Sequence, residues 1–180
     1  LVIGAGPIGL SAMEFVRLTG ARLVVMDMVQ SRLNFVQKIY NLTDTVCADG
    51  TENDLSKIKE ITQDELCDVV IDATGSDRSM NRSLEFCAFG GRVVYVGITQ
   101  GALSFPHAPL LHRRELSILG SRNALSRDFD RIVKDIEANR IDTAPWITHR
   151  MSWTELPEVF PQLVDPSSGV LKAVATIAPA

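Results

Sequence analysis

The sequence lacks the features of several large classes of protein. None of its apolar runs approaches the roughly 18 residues that a membrane-spanning helix needs, and no signal-peptide pattern is present. The net charge is −4 and the pI is about 5.4, so we expect no surface for nucleic acid or for an anionic membrane. The 180 residues, of which 46% are apolar, suit a globular protein with a substantial core.

Disulfide and metal-binding patterns are also missing. The three cysteines, Cys47, Cys67 and Cys87, form no C-x-x-C pair, so we expect free thiols in a reducing cytoplasm. The three histidines are scattered along the chain and there is no H-E-x-x-H motif, which favours structural or surface histidines. We therefore predict no catalytic residue and no metal ligand within this chain.

The N-terminal residues form the most informative pattern. Leu1-Val2-Ile3 is an apolar strand that leads directly into Gly4-Ala5-Gly6-Pro7-Ile8-Gly9, and a helical pattern follows. A second strand, Arg22–Met26, ends at Asp27. A G-x-G-x-x-G motif between a strand and a helix, with an acid about 20 residues further on, is typical of dinucleotide-binding units.

Each residue of the glycine motif has a physical role in such a site. Gly4 permits the tight turn, Gly6 lets a pyrophosphate approach the backbone, and Gly9 lets the helix lie close to the sheet. Pro7 suits the first helical turn, where its missing N–H is not needed. Pro7 and Ile8 begin the helix whose free N–H groups and positive dipole end bind phosphates.

Asp27 predicts which dinucleotide binds. Its carboxylate would accept hydrogen bonds from the adenosine ribose hydroxyls and repel the additional phosphate of NADP, so we predict NAD. The alternative is a tight strand–turn–helix without a ligand, in which the acid only ends a strand.

Strand-like and helix-like segments alternate along the chain, which favours a parallel sheet covered by helices. The predicted strands cover residues 1–3, 22–27, 44–47, 68–72, 92–97 and 116–120. A helix is predicted over Met80–Phe89 and is expected to stop at Gly90-Gly91. Six strands with crossover helices predict a doubly wound α/β fold, the Rossmann fold, in strand order 3-2-1-4-5-6.

The segment after Pro145 exceeds what this sheet requires. We therefore predict a Rossmann domain over residues 1–145 and a short C-terminal extension over residues 146–180. Because ligands of this fold bind beyond the carboxyl ends of the strands, further binding residues are expected where the fourth, fifth and sixth strands end. These are Thr74, Gly75, Val96, Gly97, Ile98, Ser121 and Asn123.

Several blocks, in their order and spacing, resemble the medium-chain, zinc-type alcohol and polyol dehydrogenases, most closely the branch that oxidises polyols and sugar acids. The blocks are 4–9, 27–32, 70–75, 90–97, 120–124, 147–150 and 168–172. The resemblance implies that Arg32 lies over the adenosine ribose or adenine and that Thr74 and Gly75 lie near the nicotinamide ribose. It also implies that the backbone of residues 96–98, Ser121 and Asn123 holds the carboxamide.

Further along the chain, the resemblance places a cation, Lys172, near the pyrophosphate. Some of these residues have simpler interpretations. Arg32 is alternatively a solvated helix residue, Val96 and Ile98 are alternatively strand core, and Lys172 is alternatively a surface charge.

The resemblance also implies parts that the chain does not contain. In this family a domain that would precede Leu1 supplies zinc ligands, so this chain alone is expected to be inactive. Its partners would be a small polyol or sugar-acid substrate and other copies of itself, in a dimer or tetramer that uses the region Ala102–Arg113. The alternative function is a non-catalytic module that senses NAD(H).

Overall fold

The computed structural model describes residues 1–165 and 168–177, which cluster into two compact units, residues 1–123 and residues from 124 onward. The strands are β1 Val2–Ile3, β2 Val25–Asp27, β3 Thr45–Cys47, β4 Cys67–Asp72, β5 Cys87–Tyr95, β6 Ser117–Gly120, β7 Ile147–Ser152 and β8 Lys172–Thr176. The α-helices are α1 Pro7–Leu18, α2 Gln30–Tyr40, α3 Glu52–Thr62, α4 Asp77–Arg82, α5 Ser126–Glu137 and α6 Leu156–Leu163.

The first unit is built on a six-stranded parallel sheet in the order β3-β2-β1-β4-β5-β6. This confirms the predicted doubly wound fold. The centre of the sheet is apolar because helices cover both of its faces: Val2, Val25, Val70 and Val93 are at most 1% exposed. The reversal of strand order between β1 and β4 leaves a crevice at the carboxyl ends of the strands.

Local sequence sets where the helices beside this crevice begin. Pro7 occupies the first turn of α1, directly after Gly6 at its N-cap. Helix α3 begins at the Thr51 N-cap, whose hydroxyl accepts the N–H of Asn53 at 3.2 Å. Both helices therefore start next to the carboxyl end of the preceding strand.

The helix predicted over Met80–Phe89 is wrong in its extent. The structure has the short α4, then a 3₁₀ turn at Ser83–Phe86, and β5 already begins at Cys87 and runs through Gly90-Gly91. Cys87 pairs with Cys67, and the register shifts between Cys67 and Val69. The glycines are taken into an irregular strand pairing, which local propensity does not reveal.

The second unit contains the parallel pair β7–β8 together with α5 and α6. In α5 the buried residue is Asp135, which pairs with Arg140, while Phe129 and Val133 are exposed. The division predicted between residues 145 and 146 concerns packing on an upstream domain and stays a prediction. Within the described residues, we find no helix with the length and apolar character that crossing a membrane requires.

Candidate dinucleotide-binding site

A cleft of about 480 Å³ opens in the first unit at the carboxyl ends of β1, β2, β3 and β4. Six of the predicted binding residues line it: Gly4, Gly6, Pro7, Asp27, Arg32 and Thr74. The rest of the lining consists of Ile3, Met26, Met28, Val29, Ala48, Gly50, Asp54, Ala73, Ser76, Arg78, Ser79, Arg82 and Phe86. The cleft is large enough for a substantial part of a nucleotide.

The glycine-rich turn is closely packed on one side and open on the other. A Cβ atom on Gly9 would lie 1.7 Å from the carbonyl oxygen of Gly4, which itself has a φ of +100°. A Cβ atom on Gly6 would meet no protein atom within 4 Å, although Gly6 lines the cleft. Gly9 is therefore required by packing within the protein, whereas the space beside Gly6 is free for a ligand.

The start of α1 offers hydrogen-bond donors to that space. The N–H of Leu10 makes the first intrahelical bond, to the carbonyl of Gly6 at 2.9 Å. The N–H groups of Ile8 and Gly9 precede it and have no acceptor within the helix. Together with the positive end of the helix dipole, they suit an anion such as a pyrophosphate.

Asp27 joins three parts of the site. One carboxylate oxygen accepts the N–H of Ala5 in the glycine-rich turn at 2.6 Å, and the other accepts the N–H of Val29 at 2.8 Å. Arg32 of α2 lies 3.8 Å from the first oxygen. The side chain is 7% exposed, and a carboxylate has about four acceptor positions, so positions remain for ligand hydroxyls.

The buried Asp72 at the end of β4 holds the turn that contains Thr74. One oxygen accepts the N–H of Thr74 at 2.9 Å and its hydroxyl at 2.7 Å; the other accepts the hydroxyl of Ser79 at 2.6 Å. The carbonyl of Asp72 accepts the N–H groups of Val96 and Gly97 at 2.9 and 3.0 Å. One residue therefore positions the turns that follow β4 and β5.

These two turns pack backbone to backbone. A Cβ atom on Gly97 would lie 2.4 Å from the nitrogen of Gly75, and one on Gly75 would lie 2.9 Å from the carbonyl oxygen of Ile98. The side chain of Ile98 is 83% exposed. The structure therefore brings Thr74, Gly75, Gly97 and Ile98 together, and Ile98 is not strand core.

The remaining predicted residues are placed as follows. The N–H of Ser121 bonds to the carbonyl of Tyr95 at 2.9 Å, and Asn123 adopts a left-handed conformation with φ of +55°. Both are exposed in the loop after β6. Lys172 begins β8 in the second unit, where it pairs with Ile147 and is exposed.

The contribution of β3 and α4 to the cleft was not predicted from the sequence. The rule that ligands bind beyond strand ends also points to Ala48 and Gly50 after β3, and that signal was available. No such signal pointed to Arg78, which precedes the helix predicted over Met80–Phe89, or to Arg82, which lies within it, because neither directly follows a predicted strand.

A buried ion pair holds this part of the cleft together. Asp54, 1% exposed, accepts the N–H groups of Asp49 and Gly50 at 2.9 Å each and pairs with Arg82 at 3.0 Å. Burial disfavours the charge of Arg82, but its bonds to Asp54 and Glu85 raise the pKa of its guanidinium above the ordinary value. The loop after β3 is thereby fixed to α3 and α4.

Comparison with known proteins identifies the family. The sequence model of the family described as zinc-binding dehydrogenases matches residues 7–138, which run from the start of α1 through strands β2 to β6 and include most of the cleft residues. The chain belongs to this family. The resemblance noted in the sequence is therefore confirmed.

Individual relatives agree with this assignment. L-galactonate-5-dehydrogenase of Escherichia coli K12 is 32% identical over 176 residues, which are 98% of this chain and 51% of that protein. L-arabinitol 4-dehydrogenase of Hypocrea jecorina is 30% identical over 179 residues, 97% of this chain and 47% of that protein. The alcohol dehydrogenase TADH of Thermus sp. ATN1 superimposes with a TM-score of 0.84 at 27% identity, covering 98% of this chain and 50% of that structure.

The chain thus spans about half the length of these relatives. Within residues 1–165 and 168–177, no group of three or more His, Cys, Asp or Glu side chains is arranged to hold a metal ion. These residues therefore do not fit a catalytic zinc, and no zinc-dependent step is assigned to them.

Proposed function

We propose that this chain is the NAD-binding domain of a zinc-dependent dehydrogenase that reversibly oxidises a secondary alcohol of a polyol or sugar acid to a ketone. The observation that carries the proposal is the open space beside Gly6, next to the free N–H groups of α1. The pyrophosphate of NAD fits this space in charge and in hydrogen bonding. NAD, when bound, accepts the hydride that the substrate carbon loses.

The adenosine ribose would lie at Asp27. The carboxylate is fixed by Ala5 and Val29 and retains acceptor positions for two hydroxyl groups. A phosphate in place of one hydroxyl would meet a negative charge held in a largely buried position, which supports NAD rather than NADP. Arg32 would cover the ribose from α2.

The nicotinamide end would use the turns after β4, β5 and β6. Thr74 and Gly75 would pack against the nicotinamide ribose, and the backbone at 96–98, Ser121 and Asn123 would bind the carboxamide. Lys172 would add a positive charge near the pyrophosphate. The geometry of the turns after β4 and β5, which Asp72 holds, would orient the ring.

The zinc ligands would lie in the part of the relatives' length that this chain does not cover. Zinc there would lower the pKa of the substrate hydroxyl. Exposed apolar side chains of the second unit, such as Trp153 and Phe160, would pack on that part, and copies of the protein would associate through Ala102–Arg113. The sugar-acid and polyol substrate class is proposed by analogy with the two relatives, a galactonate dehydrogenase and an arabinitol dehydrogenase. No finding above supports a non-catalytic NAD-sensing module.

A pair of glycine substitutions tests this proposal. Gly6→Ala places a methyl group in the space assigned to the pyrophosphate without contacting the protein, and the φ of −80° at Gly6 suits alanine. We expect the affinity for NADH to fall at least tenfold, measured by calorimetry, with an unchanged melting temperature. Unaltered NADH affinity, or no NADH binding by the unmodified protein, would refute the proposal.

The matched control adds a methyl group at the other end of α1. Gly20 has a φ of +74°, and a Cβ atom there would meet nothing within 4 Å. Gly20→Ala therefore strains only the backbone and is expected to lower the free energy of unfolding by about 1 kcal/mol with no change in NADH affinity. The two variants should have opposite phenotypes.

A further inference from the structure

Arg78 is the cleft residue whose charge the proposed function leaves unused. Arg32 lies near Asp27 and Arg82 pairs with Asp54 and Glu85. Among the residues that the structure describes, no carboxylate forms an ion pair with Arg78, although its side chain lines the cleft. A cation in a cleft without a carboxylate partner is suited to bind a ligand.

A hydrogen bond to the backbone orients the exposed side chain of Arg78. One terminal nitrogen of its guanidinium donates to the carbonyl of Gly50 at 2.7 Å. Gly50 has a φ of +77°, and a Cβ atom on it would lie 2.6 Å from that same nitrogen. Asp54 holds the N–H of Gly50 from α3. The guanidinium therefore packs against Gly50, and Gly50 is in turn held by its hydrogen bond to Asp54.

The order of the strands shows which part of a dinucleotide would reach Arg78. With the pyrophosphate beside Gly6 after β1 and the ribose at Asp27 after β2, the base continues toward the end of β3. The backbone N–H of Ala48, just after β3, bonds to the carbonyl of Asp27 at 3.0 Å, and Gly50 follows two residues later. Arg78 thus lies in the direction of the base.

We propose that Arg78 is a specificity-determining residue that stacks its guanidinium on the base of the nucleotide and favours a purine over a pyrimidine. This inference rests on the proposed function. A planar guanidinium stacks on aromatic bases, and the larger purine offers it more surface. The bond to Gly50 reduces the conformational freedom that Arg78 would lose on binding.

The test compares two nucleoside diphosphates that differ only in the base. ADP and CDP are titrated by calorimetry into the unmodified protein, Arg78→Ala and Arg78→Lys. We expect Arg78→Ala to weaken ADP binding about threefold to thirtyfold and CDP binding less, so that the preference for ADP falls. Arg78→Lys keeps the positive charge but removes the planar guanidinium group, so it should also lose most of the preference for ADP over CDP. Arg127→Ala, which removes an exposed arginine of α5, is the matched control.

The ADP and CDP titrations distinguish stacking on the base from binding of the diphosphate. An equal loss for ADP and CDP in Arg78→Ala would show that Arg78 acts on the diphosphate and would overturn the inference. A preference for ADP over CDP that is unchanged in both variants would also overturn the inference about Arg78. In either case, NADH binding by the unmodified protein would still support the proposed function. If the unmodified protein binds neither NADH nor ADP, both proposals fall.

Discussion

Replacing Asp27 by Asn tests how one carboxylate connects the glycine-rich turn to the choice of cofactor. In the structure, the two carboxylate oxygens of Asp27 accept the N–H groups of Ala5 and Val29 at 2.6 and 2.8 Å, respectively. An Asn side chain can accept one of these bonds, and its NH₂ group would face the other donor. Because a buried N–H without an acceptor costs about 1–3 kcal/mol, we expect the free energy of unfolding of Asp27→Asn to fall by that amount.

The same substitution should change cofactor preference. A charge-assisted hydrogen bond contributes about 1.5–3 kcal/mol, so losing one to a ribose hydroxyl weakens NADH binding about tenfold to 150-fold. For NADPH this loss is offset, since two like charges 4 Å apart repel each other by about 4 kcal/mol at an effective dielectric constant of about 20. We therefore expect the preference for NADH over NADPH to fall at least tenfold.

Calorimetric titration of both cofactors, with urea unfolding of the same samples, measures both effects. Asp44→Asn is a suitable control, because Asp44 directly precedes β3, at the amino-terminal ends of the strands and away from the cleft, and pairs there with Arg22, whose side chain is 62% exposed. This control should leave the affinities for NADH and NADPH unchanged. It should change the free energy of unfolding by no more than about 1 kcal/mol. An unchanged NADH-to-NADPH ratio in Asp27→Asn would contradict the role assigned to Asp27.

Two further predictions concern stability. Ser79→Ala removes the hydroxyl that donates to the buried Asp72 at 2.6 Å, so the free energy of unfolding, measured in urea, should fall by about 1–3 kcal/mol. The control Ser56→Ala, on the exposed face of α3, should lower it by less than about 1 kcal/mol. Equal losses in the two variants would contradict the role assigned to Ser79. Burial raises the pKa of the Cys87 thiol from 9.0 to about 11, so the folded state favours the neutral thiol and the unfolding free energy should fall as the pH rises from about 9 to 11. Cys87→Ala should reduce this alkaline loss, and an identical pH dependence in both proteins would refute it.

The strand order shows what sequence reasoning can predict for this chain. The glycine motif, the acid at position 27 and the alternation of strands with helices are local patterns, and a parallel sheet with right-handed crossovers admits few arrangements of them. The family match and the observed sheet confirm both the resemblance and the fold. The cleft residues Gly4, Gly6, Pro7, Asp27 and Thr74 were predictable for the same reason, since they lie at strand ends or in the turns that follow them. Arg32, inside α2, was predicted only from the family resemblance.

Errors arose where pairing across the sheet overrides local preference. Gly90-Gly91 signals a helix stop in the sequence, but the pairing of Cys87 with Cys67 draws this segment into β5. Cys67 and Cys87 are 20 positions apart (87 − 67), so this pairing is not encoded within a window of neighbouring residues.

The sequence by itself determined the fold class, the family and the glycine-rich end of the cleft, because these depend on periodicity and on spacing along the chain. Only the tertiary structure decided what encloses the cleft beyond Asp27. Asp54, Arg78 and Arg82 come from two helices, and the distances of 2.7 to 3.0 Å that join them to the loop after β3 connect residues 4 to 31 positions apart. Contacts of that kind follow from how the helices pack on the sheet, which no local pattern specifies.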